Sequence, residues 1–304
     1  MLKVKVRVPA TAANLGAGFN CLGLALALYN AFEVRECRSG IKIEITGKEK
    51  NGLPKGKTNL FFQAAEMVFK KCGYVPEGLR IKIKSCIPIA RGLGSSAALI
   101  VAGAVAANEF CGKRLSQDDL MQLCADLEGH PDNIVAAFLG GLTICGYEDN
   151  RLIYKNFLVR HGLRAIIAVP QNLEVKTKEA VAILPKKIPL EDVVFNISRV
   201  AFFISGILED ELDIMGLGME DRLHQPYRKA LVPGLEDVFK AAKHAGAHGV
   251  ALSGSGPSVI ALTHRYPQPI GRAMKIAFGR NGIEAKVMIL DADNEGIKVK
   301  VKRA

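Results

Sequence analysis

The sequence predicts an α+β protein of two lobes, on three observations. Alternating apolar and polar runs, the period of strands, dominate the first third of the chain. A mainly helical pattern fills 177 to 239, and the closing section returns to helix, strand, strand, helix and strand. The texture changes near residue 170 without a Pro/Gly/Ser-rich linker, which places the lobes at 1–165 and 166–304 as parts of one body.

In order, Val4, Val6 and Val8 alternate with Lys3, Lys5 and Arg7, a half-exposed strand that Pro9 is expected to end. Further strands are expected at 22–36, 41–46 and 79–86. A helix starts at Thr58 and stops at Gly73. "IPIARGLGSSAALI", residues 87–100, leads into a helix to about Phe110, and Ser116 with Asp119 forms a rough capping box for the next helix. "GHPDN", 129–133, reads as a break, with strands after it at 140–145, 152–158 and 163–169. Pro185, Pro189, Pro226 and Pro233 punctuate the helical region. The close reads as helix 235–245, strand 248–252, the loop "SGSGPS", strand 259–263, helix 268–280 and strand 283–290.

With 304 residues, 49% of them hydrophobic, the chain can bury a large core. No run approaches the roughly 18 apolar residues of a membrane span, and the first residues read as a strand, not a secretory signal, so no membrane and a cytoplasmic location are expected. Seven cysteines without CxxC spacing suit small buried residues in a reducing compartment. The net charge of +11 is scattered along the chain, with no basic stripe, no Trp and no nucleic-acid motif. No nucleic-acid partner is expected; phosphate-bearing metabolites or a generally charged surface suit the balance better.

Three glycine-rich places stand out. "PATAANLGAGFNCLG", 9–23, allows close backbone approach to a ligand and offers Asn14 and Asn20, although a plain turn would look the same. In 87–96, Gly92 and Gly94 permit unusual backbone angles ahead of a helix start, whose free amides and positive dipole end favour an anion. Ser95 and Ser96 add hydroxyls; a Ser cap after a turn would explain Ser95 alone. Arg91 adds charge or faces solvent. "SGSGPS", 253–258, is a second backbone clamp or a hairpin turn. "GLPKGKT", 52–58, misses the Walker spacing by one residue and reads as a surface loop.

Among charged groups, Glu128 at a helix end can ligate Mg²⁺ or carry an ordinary salt bridge. His130 and Asn133 share the following bend and can reach a small substrate, while Asp132 suits a cap. His130 lacks the companions of a zinc site. Arg228 can grip a carboxylate in two parallel hydrogen bonds or lie on the surface.

Taken together and in this order, the three glycine-rich segments resemble the GHMP superfamily of small-molecule kinases, with "IPIARGLGSSAAL" like its phosphate loop. "PATAANLGAGFNCLGLAL", "EGHPDNIVAAFLGG", "VFNISR", "DRLHQPYRKALVPGL", "ALSGSGPSVIAL" and "IEAKVMILD" resemble its homoserine kinases over nearly the whole chain. The resemblance implies a GHMP kinase fold with a ribosomal protein S5 domain 2-like amino-terminal lobe, containing a left-handed βαβ crossover, and a ferredoxin-like carboxy-terminal lobe. It implies ATP and Mg²⁺, a homodimer, and phosphorylation of the side-chain hydroxyl of L-homoserine to O-phospho-L-homoserine, a step towards threonine.

Residue by residue, the resemblance puts Pro88, Ala90, Arg91, Gly92, Leu93, Gly94, Ser95 and Ser96 around the ATP phosphates and Mg²⁺ on Ser96 and Glu128. It puts the amino-acid substrate against Asn14, Asn20, His130, Asn133 and Arg228, the last on its carboxylate. Ser96, Glu128, Asn20, Asn133 and Thr177 surround the reacting end. Catalysis would rest on positioning and charge neutralisation, without a dedicated base. Two positions depart from the family pattern: Asn20 stands where an aspartate is usual, and Val181 where an arginine follows the threonine by four residues. Lys176, Lys178 or Arg199 are candidate substitutes for that arginine, and a kinase of threonine, serine or a polyol is the alternative these departures favour.

Overall fold

The structure, a computed structural model, describes residues 2–303. Its first part contains β1 (Leu2–Ala13), β2 (Leu22–Glu36), β3 (Gly40–Gly47), α1 (Leu60–Cys72), β4 (Gly78–Ser85), α2 (Ser95–Phe110), α3 (Gln117–Glu128), α4 (Asp132–Leu139), β5 (Leu142–Glu148) and β6 (Arg151–Phe157). The second part contains β7 (Arg164–Pro170), α5 (Thr177–Ala182), α6 (Leu190–Glu209), α7 (Leu212–Leu217), α8 (Gln225–Arg228), α9 (Leu235–His244), β8 (Gly249–Leu252), β9 (Val259–Thr263), α10 (Pro267–Arg280) and β10 (Ala285–Asp291). A last strand, β11 (Lys298–Arg303), returns to pair antiparallel with β1.

The larger sheet runs β11-β1-β2-β4-β3, and β5 joins the other end of β2 and carries β6. The smaller sheet, β10-β7-β9-β8, is antiparallel throughout. Its strands and helices follow the βαββαβ order of a ferredoxin-like lobe, and the α+β expectation holds.

The inward positions of the large sheet, among them Val4, Val6, Val8, Phe32, Val34, Ile81 and Ile83, share one core with α1 and α2. Small residues let α2 sit deep in it: a Cβ on Gly103 would lie 2.1 Å from the Phe61 carbonyl oxygen, so the two helices touch backbone to backbone. This core holds the start of α2 still.

Four expectations are corrected. Pro9 does not end the first strand; β1 continues to Ala13 across a register shift between Pro9 and Ala10, which absorbs the missing amide donor. Helix α1 is capped by Asn59, whose side chain accepts from the Phe61 amide at 3.0 Å, not by Thr58. "GHPDN" is a break only at its start, because α4 begins within it at Asp132; neither this helix nor β11 is expected from the sequence. The basic residues are not evenly dispersed: eleven of the 41, separated in sequence, fall on outward strand positions and share one face of the large sheet. The Ser116–Asp119 capping box is present as expected.

Candidate active site

The three glycine-rich segments meet at one place. Gly92 and Gly94 have φ of 69° and 68°, the left-handed region open to glycine. Each also faces a neighbouring segment without room for a side chain: a Cβ on Gly92 would lie 2.0 Å from the Ser253 carbonyl oxygen, and one on Gly94 1.9 Å from Thr11 Oγ1. The Ser253 hydroxyl donates to the Gly92 carbonyl at 2.6 Å, and Asn14 Nδ2 donates to the Gly254 carbonyl at 2.8 Å. The amide of Thr11 donates to the Leu93 carbonyl. Residues from 11–14, 92–94 and 253–254 thus brace one another.

Gly94 is also the N-cap of α2 and offers no side chain to its first amides, which remain available as donors at the positive end of a sixteen-residue helix. Ser96, in the first turn, donates its hydroxyl to Glu128 Oε2 at 2.6 Å, joining the start of α2 to the end of α3. Burial pushes the Glu128 carboxyl above its usual range, and nearby Asp132 adds to this, while the Ser96 hydrogen bond and His130 act in the opposite sense. Beside the pair, the buried Ser95 Oγ has no hydrogen-bond partner. Two adjacent oxygen donors and an orphaned hydroxyl fit a hard cation such as Mg²⁺. Among the described residues there is no group of three His, Cys, Asp or Glu side chains that could hold a metal ion.

The facing wall is a hydrogen-bonded relay. Thr11 donates to Asn133 Oδ1 at 2.7 Å, and the Asn133 amide donates to Asp132 Oδ1 at 2.7 Å, the same oxygen that meets His130 Nδ1 at 3.0 Å. Burial works against a charged His130 ring, yet the hydrogen bond and charge of Asp132 outweigh it and raise its pKa. Asn20, at a φ of 53° that asparagine tolerates, donates its backbone amide to Asn14 Oδ1.

Arg228 is buried and donates to the Ala180 and Gly254 carbonyls. Its NH1 also meets His224 Nδ1 at 3.2 Å; an arginine can only donate, so Nδ1 accepts and Nε2–H donates to the Gly16 carbonyl at 2.8 Å. Burial lowers the His224 pKa, consistent with that neutral tautomer. The carboxylate of Asp221 accepts from the amides of Leu223, His224 and Gln225, which fixes the turn before α8 and hence Arg228.

These walls enclose a cavity of about 280 Å³. The site residues expected from the family resemblance line it: Asn14, Asn20, Pro88, Ala90, Arg91, Gly92, Leu93, Gly94, Ser95, Ser96, Glu128, His130, Asn133, Thr177 and Arg228. Arg91 is neither solvent-facing nor aimed only at the cavity. Its guanidinium donates to the Pro170 and Gln171 carbonyls at 2.8 and 3.0 Å and pairs with Glu174, tying the loop to the chain after β7. Thr177 opens α5, and Val181 lines the cavity from the same helix. Lys176, Lys178 and Arg199 do not line it; Arg199 pairs with Glu220 and lies over Phe195.

Sequence reasoning missed Thr11 and the central part of Asp132. Thr11 lies beyond Pro9 in the 9–23 segment, where a lone hydroxyl beside the glycines and asparagines carries no signal; the structure places it on β1. Asp132 does not take the cap position expected of it: Pro131 stands there without a side-chain cap, and Asp132, the first residue of α4, instead accepts from the Asn133 amide and meets His130, a contact that needs the fold. A second cavity, about 620 Å³, lies on the other side of the loop, shares Pro88 and Arg91 with the first, and has Leu28, Ile89, Val169 and Met288 in its walls.

Comparison with known proteins agrees with this geometry. Residues 59–141 match the GHMP kinases N terminal domain and residues 203–280 the GHMP kinases C terminal domain. The chain is 44% identical to the homoserine kinase of Moorella thermoacetica, over 97% of this chain and 99% of that one. It is 42% identical to the homoserine kinase of Caldicellulosiruptor saccharolyticus, over 97% and 96%. The crystal structure of homoserine kinase from Cytophaga hutchinsonii superposes with a TM-score of 0.88 at 33% identity, covering 98% of this chain and 97% of that one. Mevalonate kinase of L. major, at 16% identity and a TM-score of 0.68, shares the fold.

Proposed function

Because the chain belongs to the homoserine kinases of the GHMP superfamily, it transfers a phosphoryl group from ATP to the side-chain hydroxyl of L-homoserine, and we propose that the 280 Å³ cavity is where this occurs. One observation carries the assignment. The cavity has anion-binding chemistry at one end, the uncapped start of α2 with Ser96 and Glu128, and amino-acid-binding chemistry at the other, Asn14, Asn133 and Arg228.

The ATP phosphates lie against the Gly92–Ser96 amides, where the α2 dipole and unpaired donors offset their charge. The second cavity takes the nucleoside end, since it opens beside the same loop and offers Leu28, Ile89, Val169 and Met288 among otherwise polar walls. Ser96 and Glu128 hold Mg²⁺, which when bound neutralises charge on the phosphates. Arg228, fixed by three partners, receives the substrate carboxylate, and Asn14 and Asn133 orient its polar groups. The hydroxyl is directed towards the phosphate loop beside Thr177 and Asn20. Asn20 carries an amide, and the carboxylates that line the cavity, Glu128 and Asp132, are engaged by Ser96 and by Asn133 and His130, so positioning and charge neutralisation drive the transfer.

A panel of hydroxylated amino acids and polyols, each with ATP and Mg²⁺ and read as ADP release, tests the reading. Homoserine should give the highest kcat/KM. The exposed Val181, which stands where an arginine was expected on the α5 wall of the cavity, favours a different small alcohol as the alternative. A higher kcat/KM for threonine, serine or a polyol would establish that alternative.

A homodimer through α6 is supported by the surface of that helix. Leu190, Val194, Ile197, Ala201 and Leu208 form one exposed apolar stripe at helical spacing, with Leu190 78% and Ile197 65% exposed. A second copy presenting the same stripe would remove both from water. No helix among the described residues is long and apolar enough to cross a membrane. With cysteines that are all unpaired among those residues, this supports a cytoplasmic location.

A further inference from the structure

The outward face of the large sheet concentrates almost all of the chain's excess charge. Strand register arranges fifteen outward positions of five strands in three rows. The first reads Lys302, Lys3, Arg35, Arg80 and Lys42; the second Lys300, Lys5, Glu33, Lys82 and Glu44; the third Lys298, Arg7, Ala31, Lys84 and Thr46. Eleven cations and two carboxylates leave nine positive charges here, against a net of eleven for the whole chain.

Folding alone does not call for this arrangement. Like charges directly opposite on neighbouring strands oppose pairing, yet Lys3 faces both Lys302 and Arg35, Arg80 faces both Arg35 and Lys42, and Lys5 faces Lys300. Glu33 is shared by Lys3, Lys5 and Arg35, and Glu44 by Arg80 and Lys82. At the margin Glu295 meets Arg7 and Lys298. Lys42, Lys84 and Lys300 have no carboxylate partner among the described residues. The face is also concave: Lys5, Arg7, Lys82, Lys84, Lys298 and Lys300 line a trough of about 630 Å³. The opposite face of the sheet is the core beneath α1 and α2, so this trough is separate from the kinase cavity.

We propose that this face binds inorganic polyphosphate. The chemistry selects a linear chain of phosphates over other anions. Cations recur about every 4.8 Å across the strands and about every 6.8 Å along them, so a chain with closely spaced negative charges is matched in many registers. The fifteen positions carry no aromatic ring, the platform on which single-stranded nucleic acids stack their bases. A trough admits a strand-like polyanion more closely than the plane of a bilayer.

The test uses the full chain and fluorescently labelled inorganic polyphosphate, with binding followed by anisotropy at about 50 mM and about 300 mM salt. Affinity should fall by about tenfold or more across that range, as expected when several phosphates are neutralised together. The double substitution Lys84→Glu, Lys300→Glu should weaken binding by about tenfold or more while leaving homoserine-dependent ADP release unchanged. The double substitution Lys240→Glu, Lys275→Glu makes the same change in net charge on exposed positions of α9 and α10, and should leave binding nearly intact. Absence of salt-sensitive binding by the wild type would overturn the proposal, as would equal weakening by both double variants. It would also be overturned by tighter binding, per phosphate, of single-stranded RNA or of vesicles containing phosphatidylserine. Lys84→Gln with Lys300→Gln removes the two charges without reversing them, and must show the same direction of effect.

Discussion

Ser96 and Glu128 are 32 positions apart and share a hydrogen bond of 2.6 Å that joins the start of α2 to the end of α3 at the cavity wall. If the two oxygens act as one cation-binding unit, Ser96→Ala and Glu128→Gln should each lower kcat by about 100-fold or more. The double variant should then lose little beyond the worse single one. A coupled assay of ADP release decides this, and multiplicative losses would count against a shared role.

The same carboxylate should make stability depend on pH. Its folded pKa is raised, chiefly by burial. Its contribution is therefore fully present below the unfolded value of about 4.3 and is lost as pH rises through the folded value. Glu128→Gln removes that titration, so the variant should gain thermal stability relative to the wild type on going from about pH 4 to about pH 8. Melting curves without nucleotide measure this directly. Mg²⁺ with ATP should stabilise the wild type more than the variant at the higher pH, because only the ionised carboxylate is a good ligand.

Gly94→Ala should be costly twice over. The backbone there has a φ of 68°, and the new methyl would meet Thr11 Oγ1, the partner of Asn133. A loss of about 1–3 kcal/mol in urea unfolding is expected, together with a raised KM for homoserine as the relay shifts. Unchanged unfolding would mean that the loop relaxes freely.

Arg228→Lys keeps the charge but loses the planar fork, and should raise KM for homoserine by about tenfold, equivalent to about 1.4 kcal/mol, with a smaller effect on kcat. Val181→Arg places a cation on an exposed position that already lines the cavity. It should lower KM for homoserine more than for an alcohol without a carboxylate. Equal changes for both acceptors would show that the position does not read the carboxylate.

Ile197→Glu puts a charge in the middle of the exposed stripe on α6 and should shift the protein towards monomer in sedimentation equilibrium. A wild type that is monomeric at every concentration would instead remove the dimer from the reading.

By itself the sequence determined the local parts. Alternation at 3–8 marked a strand, Ser116 and Asp119 a helix start, and glycines before Ser95 and Ser96 the start of another helix. These signals are legible because strand and helix periods, caps and left-handed glycines depend on neighbours a few residues away. Family likeness carried the remaining site residues, all of which line one cavity. Tertiary structure decided what separated segments do together. The bond from Thr11 to Asn133 spans 122 positions and that from Asn14 to Gly254 spans 240. Arg91 proved to hold carbonyls after β7, a role no residue near it in sequence announces. The cationic face arises the same way: lysines that look scattered become rows only when five strands take one register, because pairing, not sequence distance, sets which side chains are neighbours.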